Sequence, residues 1–369
     1  MSVIAIGPGL SAWAPPPLRG GAALASLYAA RADARDVQPR TRIARCGMDV
    51  ILPRSEPLAS IEAREHRDGS RSAWWGGVAR CHRLACPVCA AQRARSRAER
   101  VRRAVQADVA AGRASQPWQL ITLTVPHGRT ESLGGTLDRL VAGWRRTRST
   151  RAVRAVWDAR VSASIRAIEV TWSPANGWHP HIHLLVRGDL DAADVAVLVE
   201  AWCARTGASA EHGVRVSPAR PASAVDGRYV AKLANEVGGA GKGDGDTSHW
   251  RILRSACEHR GTPAGDRWRA RWAEYDAATR GRRMFECDER ARALADACPI
   301  EVDEPVRSWT IGVWRAELRQ LGQAERADRE PYTWLVLRAV ARGDPEREVQ
   351  REIDAILGVD EPPELARAG

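Results

Sequence analysis

The stretch "NGWHPHIHLLV", residues 176–186, places three histidines at alternate positions. In an extended strand, successive side chains point to opposite faces, so residues two apart share a face. His179, His181 and His183 would then line one face, and the apolar residues that follow favour a strand. Converging imidazoles are costly to bury without a metal ion or a partner, so the stretch predicts a metal site. The alternative is a polar strand surface that faces solvent.

A carboxylate lies in the preceding predicted strand, as Glu169 within "SIRAIEVTW" (164–172). Antiparallel pairing through the loop at 173–178 would bring this carboxylate beside the imidazoles. Two or three histidines with one carboxylate suit a divalent ion with open coordination positions, here Mg²⁺ or Mn²⁺. Such an ion can polarise a phosphoryl oxygen, which predicts phosphate chemistry.

The cysteines indicate a second metal site. "CHRLACPVC" contains Cys81, Cys86 and Cys89 in a spacing typical of thiolates that share one ion. A tetrahedral structural Zn²⁺ needs a fourth ligand, and Cys46 in "IARCGMDV" is the best candidate, with His82 and His66 weaker. The alternative is a set of buried free thiols.

The charge balance favours a nucleic-acid partner. The net charge is +11 and the pI is about 9.9, and Lys232 and Lys242 are the only lysines. Arginine forks suit phosphate oxygens, although a GC-rich genome also enriches arginine. In "AAQRARSRAERVRRAVQADVAAG", a predicted helix that ends at Gly112, Arg93, Arg97 and Arg100 share one face. That face could follow a phosphate backbone or be merely solvated.

A predicted helix, "SAVDGRYVAKLANEVGG", carries Tyr229 and Lys232 three positions apart and therefore on one face. A tyrosine phenol can attack a phosphodiester and hold the product as a phosphotyrosine ester. Its pKa near 10 means that it needs a base or a cation nearby, and Lys232 could serve. The alternative is a tyrosine that packs on the sheet.

Several stretches together resemble a known family. They are "HPHIH" (179–183) with "ITLTV" upstream and "YVAK" (229–232) downstream, then "CHRLACPVCAAQRARSRAERV", "IRAIEVTWSPANGWHPHIHLLV" and "RWAEYDAATRGRR". The sequence resembles the HUH endonuclease superfamily, and more closely the rolling-circle replication initiators of bacterial plasmids of the actinobacterial type. The resemblance runs from about Cys46 to Arg283.

The resemblance implies an α+β fold. A central antiparallel sheet of about five strands, the HUH endonuclease fold, would have flanking helices, an N-terminal zinc-binding module and a mainly helical C-terminal region. We expect a disordered leader at 1–40, rich in Pro, Gly and Ala, and a cysteine module with the basic helix at 41–112. The endonuclease domain would span 113–245 and include one helix over 131–157. The helical region would span 246–369.

The resemblance also implies an activity. His181 and His183 would be the paired ligands of the catalytic ion, His179 a third candidate and Glu169 an additional ligand. Tyr229 would nick a single-stranded or hairpin DNA origin, keep the 5′ phosphate and release a 3′ hydroxyl primer, with Lys232 assisting at the phosphate. Strand separation would need a host helicase, because no phosphate-binding loop is present.

How the reaction ends is less constrained. Some relatives carry a glutamate four residues before the tyrosine, where this chain has Val225, and Asp226 is the nearest carboxylate. Either Asp226 activates a water, or a homodimer supplies Tyr229 of the partner subunit. The alternative for Asp226 is a structural residue that caps or flanks the helix near Gly227. A transposase of the two-tyrosine kind would need a second tyrosine where this chain has Leu233. A mobilisation relaxase and a non-enzymatic, zinc-stabilised DNA-binding repressor also fit parts of the pattern.

The expected location is the cytoplasm, without membrane attachment. The sequence has no apolar run of 18 residues, and its N-terminus lacks a basic segment followed by a hydrophobic one.

Overall fold

The computed structural model describes residues 21–49, 51, 58–65, 67, 69, 71–225, 249–298, 306–328, 330–342 and 346–358. The described residues fall into two compact units, one of residues 21–89 and 306–358, the other of residues 90–298. This division does not coincide with the domain boundaries predicted at 112 and 245. Among the described residues, no helix combines the length and the apolar character needed to cross a membrane.

The helices and strands are numbered in chain order. The strands are β1 (Leu58–Glu65), β2 (Arg71–Gly76), β3 (Pro117–Thr124), β4 (Ala163–Ser173), β5 (Gly177–Arg187), β6 (Val214–Val216), β7 (Arg220–Pro221), β8 (Phe285–Cys287) and β9 (Arg307–Trp314). The helices are α1 (Gly21–Val37), α2 (Pro87–Ala110), α3 (Leu133–Arg148), α4 (Arg151–Arg160), α5 (Ala192–Thr206), α6 (Ala210–Gly213), α7 (His249–Glu258), α8 (Pro263–Thr279), α9 (Glu289–Ala297), α10 (Arg315–Asp328), α11 (Tyr332–Arg342) and α12 (Glu346–Leu357). A short 3₁₀ turn covers Ala222–Ala224.

An antiparallel sheet forms the centre of the unit at 90–298. Its strand order is β6-β3-β5-β4-β8, and β7 also pairs with β3. Together with the helices, the cysteine cluster and the helical segments α10 to α12, this architecture confirms the predicted α+β class with a central antiparallel sheet. The histidine strand β5 lies in the middle, so both of its edges are hydrogen-bonded to neighbours.

One face of the sheet is covered at one end by α2. Val101 and Val105 of this helix pack in a buried cluster with Trp118, Ile165 and Leu185, which come from β3, β4 and β5. Since side chains alternate along a strand, Glu169 and His183 continue the rows of Ile165 and Leu185 on the same face. The apolar rows therefore end where the polar site begins.

The helix predicted over 131–157 is two helices. Thr150 interrupts it, because its hydroxyl accepts a hydrogen bond from the backbone N–H of Val153 and caps α4. The backbone of Thr150 is extended (φ −66°, ψ 146°), so α3 ends before it. A threonine side chain favours an N-cap over a helix interior because it bonds to the backbone locally.

The unit of residues 21–89 and 306–358 contains a second sheet, of order β2-β1-β9, and the helices α1, α10, α11 and α12. Here the predicted leader at 1–40 is wrong for its second half, because 21–37 form the helix α1. Arg31 and Arg35 on this helix are 1% and 0% exposed, and both bind the carboxylate of Glu325 on α10. The sequence of α1 has no clear hydrophobic period, so it did not predict a helix. Residues far along the chain bury this helix.

Both carboxylate oxygens of Glu325 accept hydrogen bonds. Arg31 Nη2 and Arg35 Nη1 lie 3.0 Å and 2.8 Å from Oε1, and Thr333 donates to Oε2 from its backbone N–H and its hydroxyl. Burial alone would raise the pKa of Glu325, but the two arginine charges and the Thr333 hydrogen bonds hold that pKa below its usual value.

We predict that Glu325→Ala lowers the free energy of unfolding by about 4 kcal/mol, because it leaves two guanidinium groups buried without their counter-charge. Since the pKa of Glu325 is lowered in the folded state, its stabilisation is present above the unfolded pKa near 4.3 and is lost as the pH falls. Urea unfolding of the variant should therefore differ most from wild type near pH 7.

The matched control is Glu330→Ala, which removes an exposed carboxylate of the same unit and should change stability by less than about 0.5 kcal/mol. Equal unfolding curves for Glu325→Ala and this control would contradict the structural role of the buried ion pairs.

Candidate functional site

The histidine strand and its neighbour form the site. In the β4–β5 register, Glu169 lies directly opposite His181. The Nε2 atoms of His181 and His183 each lie 2.9 Å from the same carboxylate oxygen of Glu169, Oε2. One donor atom from each of these three residues lies within 4.8 Å of the others. The structure thus brings together the two histidines and the carboxylate that the sequence predicted.

Strand β3 orients one of these ligands. Thr122 faces His183 across the β3–β5 pair, and its hydroxyl lies 3.0 Å from Nδ1 of that histidine. A hydrogen bond at Nδ1 sets the ring orientation and directs Nε2 toward Glu169. The His181 ring is held by the contact of its Nε2 with Glu169 and by packing, since its buried Nδ1 has no hydrogen-bond partner in the part of the chain that the structure describes.

His179 lies at the margin of the site. Its ring centroid is 5.4 Å from that of His181, and it does not belong to the group of converging donor atoms. On its other side, its ring meets His127 edge to face at 4.7 Å. Sequence reasoning missed His127, which follows β3 in "VPHG", because its proximity to the histidine strand arises only in the folded sheet.

Sequence reasoning also missed His249, a histidine buried near the site. Burial lowers the pKa of His249 to about 3, and the charge of Glu169 opposes this shift only in part. The ring stacks on Tyr275 with centroids 4.6 Å apart, and Tyr275 itself is 1% exposed. Tyr275 is therefore a poor substitute for the predicted nucleophile, because its ring is enclosed by other aromatic groups.

Three predicted site residues, Asp226, Tyr229 and Lys232, lie outside the described residues. The described residues before this gap end at Val225, which is fully buried in the core beside α2, and they resume at His249. Their roles therefore remain predictions.

The four cysteines Cys46, Cys81, Cys86 and Cys89 form a second cluster, and all are at most 5% exposed. Sγ of Cys46 lies 3.5 Å from that of Cys89 and 3.7 Å from that of Cys86, and Cys81 Sγ lies 3.7 Å from Cys89 Sγ. These separations are far longer than a disulfide bond. They match the edge of a tetrahedron around one ion with bonds of about 2.3 Å, roughly 3.8 Å.

The start of α2 explains why the cysteine sulfur atoms lie so close together. Cys86 precedes the first turn of α2 and Cys89 lies within it, with Pro87 at the first helical position, which suits proline. Hydrogen bonds from Cys81, Cys86 and Cys89 lower the pKa of Cys46 well below its usual value. Of the weaker candidates, His82 is exposed and His66 lies outside the described residues.

The arginine face predicted on α2 is partly available. Arg93 and Arg100 are exposed, whereas Arg97 is half-buried and its guanidinium lies 5.3 Å from the ring centre of Phe285. The structure therefore presents two of the three arginines to solvent.

Comparison with known proteins gives a family model and a curated relative that resemble this chain. Residues 75–188 match a family model described as "Replication protein". A curated protein of Streptomyces lividans, "Protein rep", is 28% identical in an alignment that covers 62% of this chain and 66% of the relative. The chain thus spans just under two thirds of that relative's length. No solved structure matches the chain with significance.

The matched segment is the one that holds the chemistry. It includes Cys81, Cys86 and Cys89 and the whole group of Glu169, His181 and His183. Over residues 75–188 this protein is similar to a family of replication proteins, which agrees with the resemblance to replication initiators that the sequence indicated.

Proposed function

We propose that this protein initiates plasmid rolling-circle replication by nicking one strand of the origin. The observation that carries the proposal is the convergence of Glu169, His181 and His183 on the central strands of the sheet. Buried imidazoles and a carboxylate that share one point favour a working metal centre over a DNA-binding repressor with a vestigial site. The similarity to replication proteins over residues 75–188 supports DNA as the substrate.

The proposed chemistry is a transesterification. The phenol oxygen of Tyr229 attacks the scissile phosphorus and loses its proton, and the bond from phosphorus to the 3′ oxygen breaks. The 3′ oxygen takes up a proton and becomes the hydroxyl that primes synthesis, while the 5′ phosphate stays on Tyr229. Lys232 neutralises charge that develops on the phosphate, and Asp226 is the candidate base for a terminating hydrolysis.

The donor set fits a divalent ion. Two imidazoles and one carboxylate leave coordination positions open, and the nitrogen ligands favour Mn²⁺ over Mg²⁺, which prefers oxygen. A bound ion would polarise a non-bridging oxygen of the scissile phosphate. The chain's own contribution is orientation, because Thr122 holds the ring of His183 and Glu169 lies opposite His181.

The cysteine cluster is proposed to hold a structural Zn²⁺. Four buried thiols at tetrahedral spacing leave no open position, which is typical of ions that stabilise a fold. Arg93, Arg97 and Arg100 are proposed contacts to the DNA backbone. A host helicase and a second copy of this chain are the proposed protein partners. The proposed location is the cytoplasm, where plasmids replicate.

We predict that His183→Ala lowers the rate of DNA cleavage about a thousandfold, because one ligand of the ion is lost. A labelled single-stranded origin fragment resolved on denaturing gels measures the rate, and calorimetric titration with Mn²⁺ should detect the lost binding directly. His212→Ala is the matched control, since the side chain of His212 is 79% exposed on α6.

Cleavage by wild type should stop in EDTA and return with excess Mn²⁺. Full cleavage in excess EDTA would contradict a catalytic ion at this site.

Tyr229→Phe should abolish the covalent protein–DNA adduct and leave origin binding nearly unchanged, because only the phenol oxygen is removed. The adduct is detected as a labelled band that survives denaturing electrophoresis. Tyr275→Phe is the control and should retain the adduct, since Tyr275 is buried in an aromatic stack. An adduct at wild-type level in Tyr229→Phe would assign the nucleophile to another residue.

Pure protein should contain about one Zn²⁺ per chain, and Cys89→Ser should lose both the ion and solubility. Cys203→Ser, which changes a half-buried cysteine away from the cluster, should keep both. Metal analysis by mass spectrometry measures the ion. A soluble, metal-free and fully active Cys86→Ser/Cys89→Ser double variant would exclude a structural role for the cluster.

A further inference from the structure

A cavity of about 480 Å³ opens at the turn between β4 and β5, and none of the metal ligands lines it. It lies between this turn, the loop at 129–132 and α8. Arg129, Arg267, Arg271, Glu274, Trp172 and Trp178 line it. A volume of this size is typical of small-molecule and nucleotide sites.

Positive charge exceeds negative charge in this cavity, since Glu131 and Glu274 line it beside the three arginines and Glu131 is paired with Arg139. Among the described residues, the guanidinium groups of Arg129, Arg267 and Arg271 form no ion pair with a carboxylate. Glu274 is already engaged, since Oε1 accepts the backbone N–H of Leu133 at 2.7 Å and Oε2 accepts the indole N–H of Trp178 at 2.8 Å.

The positive charges of Arg129 and Arg267 also disfavour the charged form of Arg271. Burial lowers the pKa of Arg271, the charges of Arg267 and Arg129 lower it further, and Glu274 opposes them. A set of cations that destabilise each other's charge gains most from an anion with several oxygens, such as a phosphate.

Aromatic groups distinguish this cavity from a simple anion site. The guanidinium of Arg271 lies 4.4 Å from the ring centre of Trp172 and 5.4 Å from that of Trp268, and the two indoles meet edge to face at 5.2 Å. Trp172 is only 7% exposed, so the guanidinium plane of Arg271 is the surface on which an unpaired base can stack. The combination therefore fits a nucleotide better than a free phosphate.

The cavity is close to the metal ligands along the same two strands. Trp172 follows Glu169 by three residues and Trp178 precedes His181 by three, which is a separation of roughly 10 Å. Their side chains leave the opposite face of the sheet, because three is an odd number of positions. A strand bound at the metal ligands would pass the turn at 174–176 to reach the cavity.

The loop after β3 runs from the margin of the metal site to the cavity. His127 contacts His179 at the margin of the metal site, and the carbonyl of Arg129 packs against Gly177 at the turn. A Cβ at Gly177, whose φ is +73°, would lie 2.5 Å from that carbonyl oxygen, so only glycine permits this approach. The backbone of Arg129 is thereby held at the rim of the cavity.

We propose that this cavity seats one unpaired nucleotide of the strand that is cut, with its phosphate against Arg129 and Arg267 and its base on the guanidinium plane of Arg271, which covers the buried ring of Trp172. The inference rests on the proposed function, since it assigns a subsite for the same DNA strand. It explains why a cluster of arginines lies beside tryptophans at the start of the histidine strand.

The test compares Arg129→Ala/Arg267→Ala with Arg151→Ala/Arg154→Ala. All four arginines are exposed, and the second pair lies on α4 outside the cavity. Binding of a fluorescein-labelled, mixed-sequence single-stranded 20-mer is measured by anisotropy at several salt concentrations, without added Mg²⁺ or Mn²⁺. Loss of both arginine contacts to this one phosphate should reduce the slope of log affinity against log salt by about 0.7 and weaken binding roughly 5-fold at 0.1 M salt.

The α4 double variant should bind like wild type. Equal affinity and slope for the two double variants would overturn the cavity assignment, whatever their cleavage activity. Wild-type protein that binds the 20-mer but forms no covalent adduct with plasmid origin DNA would instead overturn the proposed function and leave the binding comparison valid. Arg271→Ala provides a further check, since it should weaken binding by a similar factor and keep the thermal melting profile of wild type.

Discussion

The pairing register of β4 with β5 is the constraint on which the metal centre depends. Glu169 reaches both imidazoles only because it lies opposite His181, with His183 two positions further along the same face. A slip of one residue would move every side chain of β5 to the other face of the sheet. Pairing with β3 on the far edge of β5 opposes such a slip, because Thr122 must then lie opposite His183.

A buried carboxylate secures the other end of the same strand. Asp108 of α2 is fully buried and binds Arg187, the last residue of β5, through both carboxylate oxygens at 2.8 Å and 2.9 Å. It also accepts hydrogen bonds from Arg113 and from the indole of Trp118. Burial would raise the pKa of Asp108, but these partners hold it below its usual value. The helix that carries the basic face is thus fixed to the strand that carries the histidines.

The features that the sequence predicted are those with a local signal. Alternating histidines after Asn176-Gly177 indicated the strand and its shared face, and the cysteine spacing indicated a common ion. The buried helix α1 had no such signal, since Arg31 and Arg35 find Glu325 about 290 positions downstream. The arginines of α8 were missed for the same reason, because only the folded chain brings Arg267 and Arg271 to the turn after β4.

The two candidate metal sites differ in ways that separate their chemistry. Four buried thiols enclose one point and exclude further ligands, so an ion there can stabilise only the fold. The site of Glu169, His181 and His183 offers three mixed donors at the end of apolar rows, where a phosphate oxygen can complete the coordination. The arginine cavity lies beyond the turn of the same two strands, at a point where it could fix the direction of a bound DNA strand. The fixed distance along β4 and β5 between the cavity and the metal ligands would then determine which phosphate of the bound strand reaches the ion, and therefore which bond is cut.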